Sequence, residues 1–263
     1  PEVVRGVYKA LEQFGFQKGK ILEPAMGIGN FFHGLPESMR KSQLYGVEID
    51  SISGRIAQKL HPSANIQIKG FEKTEFEDNS FDVVVGNVPF GDFRLYDPRY
   101  KKMKLKVHDY FIRKSMDLLR PGGILAVVTS KGTLDKNDST VRKNLAEQAD
   151  LLGAVRLPAD SFGKSANTAV TSDLLFFQKK AEPLMGEPIW TYTGLTEDMV
   201  PVNEYYLEHP EMMLGKMVWF EQFFGKDSKY TALVNNAEDF DLEKGILDAV
   251  GEQIGRASCR ERV

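Results

Sequence analysis

The chain has 263 residues, 42% of them hydrophobic and 11% aromatic, and carries a formal net charge of −3. This length predicts one large domain, or one domain with an extension, because domains usually contain ~100–200 residues. No apolar run approaches the ~20 residues that cross a bilayer, so we expect a soluble protein with no membrane partner. A mildly acidic chain is not a general polyanion binder, and any contact with nucleic acid must therefore come from a local basic patch.

The last ten residues, 254–263, resemble the translation of a common sequencing-adapter oligonucleotide, and we predict that they are not native. Removing their three arginines and one glutamate takes the formal charge from −3 to −5, and it also removes Cys259, the only cysteine. A chain without a disulfide or thiolate site fits a reducing, cytoplasmic compartment. We expect the natural chain to continue past Gln253.

The pattern of apolar residues predicts strands and helices in alternation over the first 180 residues. Strands are predicted at 21–22, 44–48, 66–68, 81–86, 124–129, 152–156 and 173–178, and helices at 3–14, 52–60, from Tyr110 to a turn at 120–123, and at 139–148. Such alternation predicts an α/β fold with a doubly wound, mainly parallel seven-stranded sheet, whose ligands lie at the carboxyl ends of the strands. We assign residues 1–180 to this domain. Residues 181–253, with four prolines and both tryptophans, form an extension of unknown role, packed on or beside it.

A turn with two glycines, Gly27 and Gly29, follows the first strand and the carboxylate of Glu23. Glycine permits positive φ and a close approach of the backbone to a ligand. A dinucleotide-binding turn has a third glycine where this chain has Phe32. A carboxylate before the glycines suits a ligand with a cationic end, such as S-adenosylmethionine (SAM), although other α/β loops carry similar glycines. On this prediction the turn binds SAM through Glu23, Pro24, Ala25, Gly27 and Gly29.

The ends of the second and third strands carry further candidate cofactor ligands. Glu48 closes the second strand, and its carboxylate is placed to accept both ribose hydroxyls of an adenosine, with Ile49 beside it. Two other interpretations are a solvent-facing acid at Glu48 and an Asp50 that simply caps the next helix. Phe71 and Glu72 follow the third strand and are candidates for lining the adenine ring and accepting from its amine, or are ordinary loop residues.

The fourth strand ends in Asn87-Val88-Pro89-Phe90, which resembles the Asn-Pro-Pro-Phe/Tyr signature of N6-adenine methyltransferases, and this resemblance implies the reaction. The exocyclic amine of a purine is a poor nucleophile because its lone pair is delocalised into the ring, and two acceptors on its N–H groups would favour a reactive, pyramidal nitrogen. Asn87 Oδ1 supplies one acceptor and the carbonyl of Val88 the other, since Pro89 holds Val88 extended. Phe90 offers a face for stacking a base turned out of its helix. The alternative is a plain Asn-x-Pro turn after a strand.

Together these elements resemble class I SAM-dependent N6-adenine methyltransferases, whose Asn-Pro-Pro-Phe/Tyr signature is matched except for Val88 in place of the first proline. The resemblance covers about residues 1–180 and extends to later motifs at 108–111, 120–123, 129–132, 156–158, 167–168 and 172–173. It is closest to the methylase domains of large helicase–methyltransferase proteins of phages, plasmids and conjugative elements. In that family an aromatic motif that closes over SAM lies just before the position of Pro1.

The resemblance implies a Rossmann-like enzyme that methylates the N6 amine of adenine in DNA with SAM and without a metal. It also implies a restriction–modification or mobile-element setting in the cytoplasm of a bacterial or phage-infected cell. DNA is then the partner, together with a fused or associated helicase. The four histidines show no metal-ligand spacing, in keeping with methyl transfer that needs no metal.

The connection at 91–107 is basic, with six lysines and arginines against two aspartates. Because it follows the tetrad directly, it should border the mouth of the pocket, and phosphate contacts with interleaved aromatic side chains suit a nucleic acid. The alternative is a solvated loop whose lysines maintain solubility. The candidate DNA-binding residues are Arg94, Arg99, Lys101, Lys102 and Lys104.

Three functions stay open from the residues alone. The first is methylation of adenine N6 in DNA. The second is methylation of adenine in RNA or of a protein glutamine amide, because an amide nitrogen presents the same two N–H groups to Asn87 and Val88. The third is a non-catalytic SAM- or DNA-binding module of a larger helicase protein, with Val88 as the mark of lost activity.

Overall fold

The computed structural model describes residues 2–161, 170–219 and 230–260, with side chains up to residue 251. The helices are α1 (Glu2–Gln13), α2 (Asn30–His33), α3 (Ser51–Leu60), α4 (Val107–Leu118), α5 (Gly132–Asp135), α6 (Thr140–Gln148), α7 (Glu204–Glu208) and α8 (Leu242–Arg260). The strands are β1 (Lys20–Glu23), β2 (Gln43–Glu48), β3 (Asn65–Ile68), β4 (Phe81–Asn87), β5 (Leu119–Ser130), β6 (Ala149–Leu157), β7 (Ser172–Lys179), β8 (Thr193–Leu195), β9 (Pro201–Asn203), β10 (Lys216–Trp219) and β11 (Thr231–Val234).

Seven strands form one sheet in the order β3-β2-β1-β4-β5-β7-β6. The pairs from β3 through β5 are all parallel, and β7 runs antiparallel to both of its neighbours. The prediction of a doubly wound, mainly parallel seven-stranded sheet is therefore confirmed. The strand order reverses between β1 and β4, and ligands of such folds bind beyond the carboxyl ends of the strands at this point.

Burial explains why the central strands form where they do. Val83, Val84 and Val85 of β4 are fully buried, which is the pattern of a strand covered by helices on both faces. The helix α3 begins where the Asp50 carboxylate accepts a hydrogen bond from the N–H of Ser53 (2.7 Å), so the capping interpretation of Asp50 is correct. The central strands thus hold their last residues at one edge of the sheet.

One predicted turn has a different structure. The helix α4 ends at Leu118, and β5 already begins at Leu119, which pairs with Phe81 of β4. The next paired residue is Ile124, so residues 120–123 bulge out of the strand, with Gly122 at φ +75°. The expectation that these residues stop the helix was wrong, because the buried side chain of Leu119 joins the sheet before the glycines are reached.

The residues after Lys180 pack on the sheet domain. Trp190 lies 5.4 Å from Phe177 between ring centroids, and Ile246 of α8 belongs to the same buried core. Arg5 of α1 forms an ion pair with Glu243 of α8. The proposed boundaries at residues 180 and 253 stay predictions. Among the described residues, no helix is both long and apolar enough for a membrane span.

Candidate active site

The register of the sheet brings three predicted site residues to neighbouring strand ends. Glu23 of β1 pairs with Gly46 of β2, so Glu48 lies two residues further along that strand. On the other side, Leu22 pairs with Val84 of β4, and Asn87 ends that strand. A Cβ on Gly86 would lie 3.6 Å from the Cγ of Glu23, which places this carboxylate beside the end of β4. Glu23, Glu48 and Asn87 therefore surround the point where the strand order reverses.

Glu23 is a buried carboxylate with an unused oxygen. Its side chain is 2% exposed, and its Oε2 has no hydrogen-bond partner among the described residues. Burial raises the pKa of Glu23 well above its ordinary value, and the negative charge of Glu48 raises this pKa further. A buried ion without a partner is unfavourable, so a cationic ligand group at this oxygen would offset the loss of solvation. The residue thus fits the role of holding an ammonium group.

The two glycines of the turn differ in what constrains them. Both have positive φ as predicted, +55° at Gly27 and +89° at Gly29. A Cβ on Gly29 would come within 2.6 Å of His61 Nε2, so protein atoms exclude a side chain there. A Cβ on Gly27 would meet no atom within 4 Å, so open space lies over this residue. The turn therefore presents bare backbone to a ligand at Gly27.

Glu48 has a structural role that the sequence did not reveal. Its Oε2 accepts a hydrogen bond from the N–H of Gly27 (2.7 Å), and its Oε1 accepts one from the N–H of Asp50 (2.7 Å). The carboxylate thus fixes the glycine turn against β2, and each oxygen keeps a second lone pair for a ligand hydroxyl. Ile49 beside it is 73% exposed, which leaves an apolar surface at the predicted adenosine position. The sequence signal for this structural role was a carboxylate two residues before the residue that caps the next helix.

The position of Phe71 does not favour its predicted contact with an adenine ring. Phe71 begins a short 3₁₀ helix, Phe71–Lys73, and is 2% exposed. Its ring lies 5.0 Å from that of Phe111, and the ammonium group of Lys114 lies 4.9 Å from its centroid. The ring therefore belongs to the core. Glu72, the next residue, is half-buried and stays a prediction.

The tetrad that ends β4 keeps both of its acceptors unengaged. Asn87 is exposed, and no described residue hydrogen-bonds to its side chain or to the carbonyl of Val88. The side chain of Val88 is buried, and its N–H donates to the carbonyl of Val128 (3.1 Å). Proline cannot make this bond, so valine extends the pairing of β4 with β5 by one residue. Pro89 and Phe90 are half-buried after it.

A cavity of about 750 Å³ opens at Asn87. Its wall combines the start of α1, the helix α2 and the ends of β4 and β5, with Asn30, Phe31, His33, Asn87, Val128 and Ser161 among the lining residues. Pockets for small ligands usually have ~300–1,000 Å³. The volume is therefore sufficient for a nucleoside-sized ligand in contact with the Asn87 side chain.

The basic loop at 91–107 is anchored by two of its own cations. Both terminal nitrogens of Arg99 contact the Asp78 carboxylate at 2.7 Å, and Asp117 lies 3.2 Å away. Lys106 pairs with Asp92 at 2.7 Å. The other four cations of the loop are exposed: Arg94, Lys101, Lys102 and Lys104. Of the five candidate DNA-binding residues, Arg99 is therefore the one that its surroundings favour least for a DNA contact.

Two later motifs are accounted for by a buried ion cluster at the ends of β6 and β7. The guanidinium of Arg156 is fully buried and bonds Asp173 of β7 and Asp135 of α5, each at 2.7 Å. The ring of Tyr206 lies 4.3 Å from it. These residues join the sheet to the segment after Lys180 and carry no open site. The motif at 167–168 lies outside the described residues.

His108 is buried near the start of α4. Burial lowers the pKa of its imidazole, so the neutral form is favoured. Asp109 beside it is also buried and pairs with Lys136. In the part of the chain that the structure describes, no cluster of three or more metal-ligating side chains occurs.

Curated proteins that are similar to this chain include two from viruses. It is 32% identical over 231 residues to defense against restriction protein B of Escherichia phage P1, covering 84% of this chain and 9% of that protein. It is 27% identical over 169 residues to the type II methyltransferase M.CvrRI of Paramecium bursaria Chlorella virus XZ-6E, covering 62% of this chain and 43% of that one. The chain thus spans less than half the length of either relative.

Solved structures with a similar fold include the following two. A Listeria monocytogenes protein assigned to the class I SAM-dependent methyltransferases superposes with a TM-score of 0.57 at 19% identity, covering 72% of this chain and 62% of that one. A protein assigned as a modification subunit of a type I restriction enzyme from Vibrio vulnificus YJ016 has the same TM-score at 22% identity, with 70% and 44% covered. The fold is therefore that of class I methyltransferases, and related structures occur in restriction–modification systems. The model of the N-6 DNA methylase family matches residues 2–241, and the chain belongs to that family.

Proposed function

We propose that the protein transfers a methyl group from SAM to the N6 amine of adenine in DNA. One observation carries the proposal: a buried carboxylate with an unused oxygen, Glu23, and two unengaged acceptors, at Asn87 and Val88, lie at the ends of adjacent strands. The first group suits the cationic end of the cofactor, and the second pair suits an amine with two N–H groups. Because β1 and β4 are adjacent strands, the methyl donor and the amine that receives the methyl group would lie close together.

On this proposal the residues of β1 and β2 hold the cofactor. Glu23 Oε2 would accept a hydrogen bond from its ammonium group, and the open space over Gly27 would receive the chain behind it. Glu48 would accept from the ribose hydroxyls while it keeps its bonds to the turn, and Ile49 would cover the base. When bound, SAM supplies a methyl group on a sulfonium centre, which is an electrophile.

The tetrad would activate the acceptor amine by hydrogen bonding alone. Asn87 Oδ1 and the carbonyl of Val88 would each accept one N–H, which localises the nitrogen lone pair outside the ring plane. After transfer the nitrogen holds one proton too many, and this acidic proton can leave to water, so no strong base is required. Phe90 would stack on the base and hold its amine at the two acceptors.

The surroundings of Asn87 support a base in DNA as the acceptor. The 750 Å³ cavity has room for a nucleoside, and the basic loop follows the tetrad after Phe90. A glutamine amide would need neither the aromatic face nor the basic loop. A fused or associated helicase remains a prediction that would supply DNA with accessible bases.

Transfer of tritium from methyl-labelled SAM distinguishes the acceptors. The natural-length protein is incubated with duplex DNA, RNA of the same sequence and total cell protein, and the products are digested to nucleosides and amino acids. We expect label in N6-methyladenine from DNA alone. Label in RNA or in glutamine would assign the site to those substrates, and SAM binding without transfer to any of them would identify a non-catalytic module.

A further inference from the structure

A second cavity lies within the basic loop itself. Its volume is about 130 Å³, and its lining includes Arg94, Tyr96, Asp97, Tyr100, Lys101 and Lys104. The loop is closed at its base, where the N–H of Val107 donates to the carbonyl of Phe93 (2.9 Å). Phe93 is only three residues beyond Phe90 of the tetrad. The cavity therefore occurs in the segment that adjoins the two amine acceptors.

The cations of the loop fall into two sets. Arg99 and Lys106 are paired with carboxylates, as described above. Arg94, Lys101 and Lys104 line the cavity, are exposed, and form no ion pair with any described residue. Lys101 Nζ lies 5.8 Å from the centroid of the Tyr96 ring, and the three positive charges that line the cavity would attract an anion.

The scaffold beneath these cations is held by buried polar contacts. Asp97 is 8% exposed and accepts hydrogen bonds from the Tyr110 hydroxyl (2.7 Å) and the Arg99 N–H (3.0 Å). The ammonium group of Lys114 lies 3.5 Å from the same carboxylate. The charge of Asp97 is thus compensated within the protein and does not cancel the cations of the cavity.

The backbone of Lys104 supports a functional role for the cavity. Lys104 has φ +51° and ψ +38°, a left-handed conformation that is unfavourable for a residue with a side chain. Glycine would avoid this cost but would provide no ammonium group. Strained residues of this kind are concentrated at binding sites.

We propose that Arg94, Lys101 and Lys104 form one pocket for a backbone phosphate of the DNA strand that carries the target adenine. The proposal rests on the proposed function. The cavity of about 130 Å³ is large enough to admit one phosphate group. A phosphate held at a fixed site sets the position of the strand. Lys102 lies outside the pocket and adds only diffuse charge.

Salt-dependent DNA binding tests the pocket. Fluorescence anisotropy with labelled duplex DNA is measured at a series of salt concentrations for the natural-length protein and for Arg94→Gln, Lys101→Gln and Lys104→Gln, singly, in pairs and together. We expect the slope of log K against log salt to fall by about one for each single change. The combined losses should not add, because the three side chains share one phosphate.

A matched triple variant removes the same charge elsewhere. Lys18→Gln, Lys41→Gln and Lys59→Gln change three exposed lysines outside the loop, and Lys102→Gln changes a lysine beside the pocket. Both controls should keep more of the DNA affinity than the pocket triple. Equal losses in the two triples, or strictly additive losses within the pocket, would show a diffuse basic surface and overturn the proposal.

Two further probes identify the source of the phosphate. An RNA duplex of the same sequence should bind more weakly than DNA, and inorganic phosphate at constant ionic strength should weaken DNA binding by the wild type more than by the pocket triple. Tight RNA binding would overturn the assignment to DNA, and equal weakening by inorganic phosphate in the two proteins would overturn the pocket. Failure of the proposed function can be distinguished from failure of the pocket. If only the proposed function is wrong, the wild type would bind DNA through the pocket but would methylate nothing. If the pocket alone is wrong, the triple variant would bind and methylate DNA as the wild type does.

Discussion

The two sides of the candidate site use charge in opposite ways. On the proposed cofactor side, Glu23 is buried and Glu48 is fixed by two backbone N–H groups. On the proposed substrate side, Arg94, Lys101 and Lys104 are exposed on a long loop. At 4 Å two unit charges attract by about 1 kcal/mol in water and about 4 kcal/mol at an effective dielectric constant of 20. A single buried carboxylate can therefore hold a small cation, whereas a polyanion needs several exposed cations and is released by salt.

The largest expected effect is at the junction of the two sides. Asn87→Ala removes one of the two amine acceptors, and loss of one such hydrogen bond in a transition state typically reduces kcat by about 10²–10³-fold. SAM affinity, measured by calorimetry, should be unchanged. Asn65→Ala, the same change at the opposite end of the sheet, is the control. Methylation at the wild-type rate in Asn87→Ala would rule out this residue as an acceptor.

Glu23→Gln tests the buried charge of the cofactor side. Removing one partner of a buried charge pair costs about 2 kcal/mol or more, so SAM should bind about 30-fold more weakly. DNA affinity should not change, because the basic loop is untouched. Glu75→Gln, an exposed residue with the same chemical change, is the control. Unchanged SAM affinity in Glu23→Gln would exclude an ion pair at this carboxylate.

The pH dependence of stability sharpens the same point. The folded-state pKa of Glu23 is raised above its unfolded value, so the free energy of unfolding is highest below the unfolded pKa and falls as pH rises through the folded one. Without ligand, Glu23→Gln should therefore be more stable than wild type at pH 8, with a smaller difference at pH 5. SAM affinity of the wild type should rise over the same pH interval. The free energy of unfolding is measured by urea denaturation at both pH values. A Glu23→Gln variant that is less stable than the wild type at pH 8 would contradict the prediction.

Val88→Pro restores the residue of the family signature. The backbone carbonyl remains, so kcat should stay within about tenfold of wild type, but the bond from the Val88 N–H to Val128 is lost. An unmade buried hydrogen bond costs about 1–3 kcal/mol, measured as the free energy of unfolding in urea. Val88→Ala removes the side chain but keeps the N–H and separates the two contributions. Abolished activity in a folded Val88→Pro would indicate a role for the valine itself.

The smallest effect is expected where a loop cation is already paired. Arg99 and Asp78 are about half exposed, and such ion pairs contribute about 0–1 kcal/mol to stability. Arg99→Gln should lower the Tm by no more than about 4 °C and should change the salt slope of DNA binding less than Lys101→Gln does. Asp78→Asn, which breaks this pair but keeps the contact of Arg99 with Asp117, should lower the Tm by no more than Arg99→Gln does. A larger loss of DNA affinity in Arg99→Gln than in Lys101→Gln would assign Arg99 to DNA.

Local patterns predicted the elements well and their interruptions less well. The β-branched run at 83–85 and the glycines of the turn depend on backbone preferences that act over a few residues, and both are as expected. The segment at 120–123 was misjudged, because proline and glycines indicate a turn but do not reveal that Leu119 pairs with Phe81. Phe71 was predicted either to line the adenine ring or to be an ordinary loop residue, and its burial against Phe111 depends on a helix forty residues away.

The sequence alone determined the α/β fold, the order of the site residues along the strands and the family, because these follow from hydrophobic period, glycine conformation and residue spacing. Only the tertiary structure decided which charges are available. It buried Glu23 with one oxygen free, bound Glu48 to the turn, paired Arg99 with Asp78 and left three cations around one cavity. Burial and ion pairing depend on contacts between residues that are distant in the chain, and a local sequence pattern contains no information about such contacts.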